Sequence, residues 1–373
     1  MKRIGITGQS GFIGTHLYNH IKYKTNYEIT PFEDSFFDDK NDLKKFVKSC
    51  DIIIHLAAKN RDKDPNIIYE TNLSLVHKLI LACEKTSSFP HIFFSSSIQE
   101  NNTTLYGKSK KDGATAFSNW AKNNNSNFTN LVIPNVFGPF AKPFYNTFIS
   151  TFSYQLLNNQ IPEIKVDNNV DLIYVGSLCK YIVSLFHKEK SEKIKSIVVT
   201  KDISLKVSEI LKLFKNFKKD YFEKGIIPHL HDINYINLFN TFRSYINHKV
   251  FFPVNLIKHE DQRGVFVEII KLNIGGQASF STTVPGVTRG NHFHTRKIER
   301  FTVLKGKARI QLKKVGSSDV IDFYLDGDNP SYVDMPIWYS HNIKNIGNEE
   351  LITHFWINES YDEKNHDTYI KPI

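Results

Sequence analysis

Short apolar runs alternate with helical stretches along the first half of the chain. Helical stretches of roughly 15–30 residues separate most of these runs. The runs with strand character are Arg3–Thr7, Tyr27–Thr30, Asp51–Leu56, His91–Ser96 and Asn130–Pro134. Because strands that alternate with helices pair in parallel, this pattern predicts a Rossmann-like α/β fold with a doubly wound parallel sheet.

The pattern changes after about residue 250. Strand-like runs then follow one another at roughly ten-residue spacing, with Gly, Asp and Asn turns between them. Such runs include Val265–Leu272, Gln277–Thr283, Glu299–Leu304, Ala308–Val315, Val320–Leu325 and Leu351–Asn358. This spacing predicts an all-β sandwich or barrel. The sequence therefore predicts two domains, residues 1–248 and residues 249–373.

Composition limits the class of protein. The 373 residues are enough for two or three hydrophobic cores. No apolar run approaches the ~18–20 residues that span a bilayer, and no apolar signal segment precedes the first strand. The cysteines Cys50, Cys83 and Cys179 lie far apart without a CxxC pair, which is typical of a reduced compartment. We expect a cytoplasmic protein that does not insert into a membrane.

The formal net charge of +10 comes from scattered lysines rather than from a basic tract. We therefore expect no nucleic-acid partner. A modest positive field would suit anionic ligands such as nucleoside diphosphates.

A glycine-rich turn follows the first predicted strand. Its spacing, T-G-x-x-G-x-x-G, allows a tight turn, close approach to a pyrophosphate and close packing of the next helix. The predicted dinucleotide contacts are Gly8, Gln9, Ser10, Gly11, Phe12, Ile13 and Gly14. The spacing resembles that of extended short-chain dehydrogenases/reductases, which also implies coenzyme contacts from Leu56, Ala57, Ala58 and Asn72.

The catalytic pattern of that family is a serine or threonine after a strand, followed by Tyr-x-x-x-Lys. Ser97, Tyr106 and Lys110 match it. Residues four apart share one helix face, so the Lys110 ammonium would lower the pKa of the Tyr106 phenol for proton exchange. Tyr106 and Lys110 are also expected to contact the coenzyme. Two other pairs match the spacing but do not follow the serine strand: Tyr18 with Lys22 and Tyr245 with Lys249.

The residues alone leave the coenzyme open. An acidic residue at the end of the second strand favours NADH, and an arginine there favours NADPH. The chain offers Glu33 and Asp34 on an irregular loop, with no arginine between Arg3 and Arg61.

A second set of motifs predicts a metal site. The pattern G(x)5HxH(x)4E(x)6G is complete from Gly286 to Gly306, and Pro336–Asn345 matches PxGxxHxxxN except for Trp338 at the glycine. These are the two cupin motifs. The predicted ligands of Zn²⁺ or another divalent ion are His292, His294, Glu299 and His341. A further H-x-H pair, His229 and His231, is interpreted as a loop without metal.

Two segments suggest substrate contacts. Asn135 begins a segment that resembles the N-x-[YF]-G-P stretch lining the substrate site of extended reductases. Arg263 belongs to a D-x-R-G-x-F-x-E string that resembles the start of sugar-nucleotide epimerase cupins. Arg263 could hold a sugar diphosphate, and a charged hairpin without that role is an equal alternative.

The order of the two parts resembles, end to end, the bifunctional CapF-type capsular-polysaccharide enzymes of the UDP-N-acetyl-L-fucosamine pathway. Val132 departs from the arginine found in relatives, and the strand-2 arginine is missing. The resemblance implies a UDP-2-acetamido-2,6-dideoxy-β-L-arabino-hexos-4-ulose substrate, C3 epimerisation by the cupin, and NAD(P)H-dependent C4 reduction by the first domain. The product would be UDP-2-acetamido-2,6-dideoxy-L-talose, used in capsule or O-antigen biosynthesis. We expect NADPH, without excluding NADH, and a homodimer formed through the cupin.

Two alternatives stay open at this point. The cupin could only bind metal and dimerise, leaving a 4-keto-sugar reductase. The chain could also be a sugar-nucleotide-binding regulator, although the complete set of Ser97, Tyr106 and Lys110 argues against a degenerate reductase site.

Overall fold

The computed structural model describes residues 2–187, 192–261, 264–267, 269–272, 276–359 and 363–373. The chain packs into two compact units. The first comprises Met1–Thr151 and Ile164–Val207, and the second comprises Phe152–Glu163 and Ser208–Ile373. Residues 208–248 thus pack with the second unit, whereas the sequence analysis assigned them to the first domain. These bounds describe packing, and the domain boundary at residue 249 stays a prediction.

The first unit is built around a parallel sheet. Its strands are β1 (Arg3–Thr7), β2 (Glu28–Thr30), β3 (Ile52–His55), β4 (His91–Ser97), β5 (Phe128–Ile133), β6 (Asn135–Phe137), β7 (Asn169–Tyr174), β8 (Ile194–Val198) and β9 (Ile203–Lys206). Six of them form a sheet in the order β2-β1-β3-β4-β5-β8, and all its neighbouring pairs are parallel. A smaller sheet has the order β6-β7-β9.

Helices connect these strands. They are α1 (Phe12–Lys24), α2 (Lys40–Lys48), α3 (Pro65–Thr86), α4 (Leu105–Asn123), α5 (Phe148–Leu157) and α6 (Val175–Ser184), with short 3₁₀ turns at Asp34–Phe37 and Ile98–Asn101. The part of α5 from Phe152 onward packs with the second unit. One core cluster draws on α2, α3, α4 and the sheet and includes Phe46, Leu79, Phe94 and Phe117, all at most 3% exposed. The parallel sheet with its connecting helices confirms the predicted Rossmann-like α/β fold.

The second unit carries two antiparallel sheets. Its strands are β10 (Ile226–Ile227), β11 (Val254–Asn255), β12 (Lys258–Asp261), β13 (Gly264–Val267), β14 (Lys271–Leu272), β15 (Gln277–Thr283), β16 (Thr288–Phe293), β17 (Glu299–Lys305), β18 (Lys307–Lys314), β19 (Val320–Asp326), β20 (Ser331–Met335), β21 (Tyr339–Asn345), β22 (Leu351–Ile357) and β23 (Tyr369–Ile370). The two five-stranded sheets have the orders β11-β20-β17-β22-β15 and β19-β18-β21-β16-β23. Side chains from both sheets, among them Phe301, Val303, Ile310 and Leu312, form one apolar cluster. This arrangement agrees with the predicted β domain.

Helices also belong to the second unit. They are α7 (Val207–Phe217), α8 (Ile233–Arg243) and α9 (His248–Phe251), together with a π-helical turn at Lys218–Glu223 and a 3₁₀ turn at Glu363–Asn365. α7, α8 and the π-helical turn all precede residue 249, so the all-β prediction for the chain after about residue 250 is not contradicted by them. No helix in the described part of the chain combines the length and apolar character needed to cross a membrane.

A buried ion pair joins two neighbouring strands of the second unit to its helical segment. Arg300 on β17 meets Asp334 on β20 through Nε–Oδ1 at 2.8 Å and Nη2–Oδ2 at 3.1 Å. The Tyr221 hydroxyl donates to the same carboxylate, and Arg300 Nη1 donates to the Gly225 carbonyl at 3.4 Å. Arg300 is 1% exposed and Asp334 is fully buried. Tyr221 and Gly225, both within residues 208–248, thus contact the buried polar groups of this sheet.

Candidate coenzyme site and metal centre

The glycine turn between β1 and α1 has the geometry that a phosphate-binding turn requires. Gly8 has φ +67°, and a Cβ there would lie 2.8 Å from the Ala57 backbone. A Cβ on Gly14 would lie 2.2 Å from the Gly8 carbonyl oxygen. Gly11 forms the N-cap of α1 and has no side chain to occupy the first N–H groups of the helix. Those N–H groups can therefore meet an anionic ligand.

The segment after β3 lies against this turn. The Ala57 N–H donates to Thr7 Oγ1 at 3.4 Å. Asn72 on α3 is 4% exposed; its Oδ1 accepts from the Lys59 N–H at 2.7 Å and its Nδ2 donates to Ser109 Oγ at 3.0 Å. Asn72 thus links the loop after β3 to α4 through hydrogen bonds. The coenzyme contact assigned to Asn72 stays a prediction, as do those of Leu56, Ala57 and Ala58.

An acidic side chain also reaches the glycine turn. Ser10 Oγ donates to Asp34 Oδ2 at 3.0 Å, although Asp34 lies 24 residues further along the chain. Asp34 begins the short 3₁₀ turn that follows β2. Of the two acidic residues considered in the sequence, Asp34 is the one hydrogen-bonded to the turn.

Ser97 and Tyr106 are brought toward the same end of the parallel sheet by two capped turns. Ser97 ends β4, and its Oγ accepts from the Gln99 N–H at 3.2 Å. Thr104 caps α4 by accepting from the Gly107 N–H at 3.1 Å. A Cβ on Gly107 would lie 2.1 Å from the Gln99 carbonyl oxygen. The first turn of α4, which carries Tyr106, therefore packs directly on the turn that follows Ser97.

Lys110 lies one helical turn beyond Tyr106. Its Nζ is 5.7 Å from the centroid of the Tyr106 ring and donates to the Ser95 carbonyl at 2.8 Å. Burial lowers the pKa of Lys110 to about 8. Burial, with a smaller contribution from Tyr145, raises the pKa of Tyr106 to about 12.

The pKa of Tyr106 thus differs from the lowering that the sequence predicted. The reason is burial, which dominates at the phenol. A protonated phenol is the form that can donate a proton to a substrate oxygen. The catalytic roles of Ser97, Tyr106 and Lys110 remain predictions.

Of the two predicted substrate contacts, the structure describes only Asn135. Asn135 begins β6 and is exposed, with its Nδ2 donating to the Asp171 carbonyl at 3.3 Å. Arg263 lies outside the described residues.

In the second unit the four predicted ligands converge. His292 is on β16, His294 follows that strand directly, Glu299 begins β17 and His341 is on β21. His292 and His341 are partners across the β16–β21 pair. One ligand atom from each of the four residues lies within 4.8 Å of all the others. The sequence spacing therefore identified a real spatial cluster.

Hydrogen bonds set which ring nitrogens face the centre. His294 Nδ1 lies 2.6 Å from the Asp367 carbonyl oxygen, and His341 Nδ1 lies 3.2 Å from the Tyr339 carbonyl oxygen. Because a carbonyl only accepts, each Nδ1 carries the hydrogen, and each Nε2 is the nitrogen that faces the centre, where it donates to Glu299 when protonated and presents a lone pair to a cation when it is not. Both Nε2 atoms lie 3.1 Å from Glu299 Oε2.

The two Nε2 atoms and Glu299 Oε2 therefore face one another in a buried site. Within the described residues, none of these three atoms has a hydrogen bond of good geometry. Burial alone would raise the pKa of Glu299, but the two histidines hold it well below its usual range. Burial lowers the pKa of His292 to about 4, with His341 and His294 adding to the effect. An ionised carboxylate among imidazole lone pairs fits a divalent cation such as Zn²⁺.

The other H-x-H pair forms no comparable centre. The rings of His229 and His231 are 5.4 Å apart, between β10 and α8. Among the described residues, the cluster of His292 is the one group of three or more such side chains close enough to share an ion.

Comparison with known proteins agrees with this two-part organisation. Residues 4–199 match the NAD dependent epimerase/dehydratase family, and residues 259–369 match the polysaccharide biosynthesis C-terminal domain. The first match covers more than half of the chain, which therefore belongs to the NAD dependent epimerase/dehydratase family.

Two of the individual relatives match over nearly the whole length, and a third matches part of it. The UDP-2-acetamido-2,6-beta-L-arabino-hexul-4-ose reductase of Pseudomonas aeruginosa is 28% identical over 373 residues, covering 98% of each chain. The crystal structure of the capsular polysaccharide assembling protein CapF from Staphylococcus aureus aligns over 100% of both chains, with a TM-score of 0.62 and 29% identity. The spore coat polysaccharide biosynthesis protein SpsL of Bacillus subtilis is 30% identical over 119 residues, covering 29% of this chain and 78% of SpsL. The predicted resemblance to CapF-type enzymes is confirmed.

The metal cluster leads to a first prediction. Protein prepared without chelator is expected to hold about one divalent ion per chain, because the four residues can supply the three or four ligands of a zinc site. His292→Ala is expected to lose most of this ion, as measured by elemental analysis. His229→Ala is the matched control and should retain it. Wild-type protein without metal would contradict the site.

The Tyr106–Lys110 pair leads to a second prediction. Tyr106→Phe removes the phenol proton and should slow nicotinamide oxidation by about 10²–10⁴-fold, while coenzyme binding stays near that of the wild type. Oxidation is followed by absorbance with the 4-keto sugar nucleotide as substrate. Tyr18→Phe, in a pair with the same spacing, is the control and should keep full activity. A Tyr106→Phe variant with more than about a tenth of wild-type turnover would rule out the assigned role.

Proposed function

We propose that this chain is a bifunctional sugar-nucleotide enzyme of capsule or O-antigen biosynthesis. It would epimerise UDP-2-acetamido-2,6-dideoxy-β-L-arabino-hexos-4-ulose at C3 and then reduce C4, giving UDP-2-acetamido-2,6-dideoxy-L-talose. The observation that carries the proposal is the buried cluster of three histidines and one glutamate. A reductase does not need this cluster, and the chain that holds it is similar over nearly its whole length to a reductase named for this ketose.

The epimerisation is assigned to the second unit, as a metal-binding cupin barrel. Two antiparallel sheets around one apolar cluster, with ligands from three strands, support this assignment. A divalent ion bound by His292, His294, Glu299 and His341 would supply Lewis-acid catalysis. The C4 carbonyl of the substrate makes the C3 hydrogen acidic, so removal of that proton and its return on the opposite face would invert C3. Glu299, held ionised, would remain a ligand throughout.

The reduction is assigned to the first unit. The reduced nicotinamide, when bound, supplies a hydride to C4. Tyr106, held in the protonated form by burial, would donate the proton to the C4 oxygen. Ser97 would hydrogen-bond the same oxygen, and the buried Lys110 ammonium would stabilise the phenolate left behind.

The remaining parts of the proposal rest on the resemblance to CapF-type enzymes and on the sequence. Asn135 and Arg263 are proposed to contact the substrate, and Zn²⁺ is the proposed metal. A homodimer formed through the second unit and a cytoplasmic location complete the assignment.

The choice of coenzyme has two candidates. The resemblance implies NADPH, whereas the hydrogen bond from Ser10 to Asp34 favours NADH. A carboxylate at the end of the second strand accepts hydrogen bonds from the ribose 2′-hydroxyl of NADH and repels the 2′-phosphate of NADPH.

The Asp34 contact leads to a third prediction. Asp34→Asn removes the negative charge and should raise kcat/KM for NADPH relative to NADH by about tenfold, equivalent to about 1.4 kcal/mol. Steady-state rates with both coenzymes measure the ratio. Glu33→Gln, at the neighbouring acidic residue, is the control and should leave it unchanged. An unchanged ratio in Asp34→Asn would show that the carboxylate does not face the ribose.

A fourth prediction tests the epimerase directly. In D₂O, the protein is expected to introduce deuterium at C3 of the 4-keto substrate without any nicotinamide, since C3 deprotonation needs no hydride. Proton NMR follows the exchange, and a sample without protein corrects for spontaneous exchange. His294→Ala and Glu299→Gln should stop it, whereas Tyr106→Phe should not.

The same experiment distinguishes the bifunctional enzyme from the alternative in which the second unit only binds metal. If metal-loaded wild-type protein gives no exchange above the sample without protein, the second unit binds metal without performing epimerisation. The proposal would then reduce to a 4-keto-sugar reductase with a metal-binding second unit.

A further inference from the structure

A single residue far from the two cupin motifs fixes both the orientation of one metal ligand and the loop between two others. This residue is Asp367, which is 4% exposed and has φ 44°, in the left-handed region. Asparagine and aspartate occupy that region more readily than most residues. None of the predicted site residues lies in this part of the sequence.

The Asp367 backbone sets the tautomer of His294. Its carbonyl oxygen lies 2.6 Å from His294 Nδ1 and accepts the hydrogen on that nitrogen. The other ring nitrogen, Nε2, is left to face Glu299 Oε2 at 3.1 Å. A histidine held in this way presents a preformed ligand atom to a cation.

The Asp367 side chain holds the loop that joins β16 to β17. Its Oδ2 accepts from the backbone N–H groups of Thr295 at 3.1 Å, Arg296 at 2.9 Å and Lys297 at 3.3 Å. Its Oδ1 accepts from Thr295 Oγ1 at 2.6 Å. The three loop residues lie between His294 and Glu299, so one carboxylate holds three of the four residues that connect these two ligands.

A second set of contacts ties the same loop to the following chain. Arg296 pairs with Glu359 through Nε–Oε1 at 3.1 Å and Nη2–Oε2 at 3.3 Å. Ile298 and Asn358 exchange hydrogen bonds, with the Ile298 N–H donating to Asn358 Oδ1 at 2.9 Å. The loop is therefore held at both ends, by Asp367 next to His294 and by Asn358 next to Glu299.

We propose that Asp367 is a positioning residue for the metal centre, acting through His294 and the 295–297 loop without itself ligating the ion. This inference rests on the metal site of the proposed function. Its energetic basis is preorganisation: a buried carboxylate that accepts three N–H bonds and one O–H bond keeps the ligands in place before the ion arrives.

The test measures metal affinity rather than turnover. Full-length wild-type protein, Asp367→Asn and Thr295→Val are titrated with Zn²⁺ against a chromophoric chelator. Asp367→Asn is expected to bind about 10–100-fold more weakly. Thr295→Val removes one hydroxyl contact with little change in shape and should show a smaller loss of the same sign.

A second readout reports the geometry of the centre. Each protein is loaded with Co²⁺ and its visible absorption recorded, because the ligand-field bands follow the arrangement of the donors. Asp367→Asn should shift these bands. Asp322→Asn, which changes a carboxylate on β19 paired with Arg309, is the control and should alter neither affinity nor spectrum.

The outcomes distinguish this inference from the function on which it rests. Wild-type affinity and spectrum in both Asp367→Asn and Thr295→Val would overturn the role of Asp367 and leave the metal site standing. Wild-type protein that binds neither ion would overturn both. Should Asp367→Asn fail to fold, Thr295→Val decides: an unchanged Kd and spectrum would overturn the proposal, and a weakened, shifted centre would support it.

Discussion

The buried ion pair between Arg300 and Asp334 is the interaction on which the second unit depends. β17 alternates between two environments, with Glu299 facing the ligand cluster and Arg300 facing the helical segment that contains Tyr221. Removing one partner of such a pair leaves an uncompensated charge and costs about 3–5 kcal/mol. The pair thus fixes the strand that presents the carboxylate ligand, and it also contacts Tyr221 and Gly225 of the segment 208–248.

The two candidate sites use burial in opposite ways. In the first unit, burial raises the pKa of Tyr106 and keeps the phenol protonated, the state in which it can give up a proton. In the second unit, histidine contacts outweigh burial and keep Glu299 ionised, the state in which it can hold a cation. In the proposed function, the same physical effect favours proton donation at one site and is overcome at the other, where an ionised ligand is needed.

The sequence predicted the parallel sheet and the four-residue cluster because both depend on local patterns. Regular alternation identifies strands and helices, and the H-x-H spacing places two rings on one side of a strand. The packing of residues 208–248 with the second unit was not predicted, for a physical reason. Arg300, Thr302 and Asp334 alternate with apolar neighbours, which is the pattern of a solvent-facing side, yet all three are at most 1% exposed. The role of Asp367 was not predicted, because its contact with His294 is made by its backbone carbonyl. A backbone contact leaves no pattern of residue types in the sequence.

The division of the chain into units also affects how the protein is made. The segment Phe152–Glu163 belongs to the second unit but precedes Ile164–Val207 of the first. During translation, this segment leaves the ribosome well before Ser208–Ile373, with which it packs. The first unit can complete its parallel sheet as soon as β8 emerges, since domains generally fold as units during synthesis. Phe152–Glu163 can pack in its unit only after the β-rich remainder has been made.

The same division limits recombination between related genes. A single crossover near residue 249 would separate the antiparallel sheets of the second unit from residues 208–248, which pack with them.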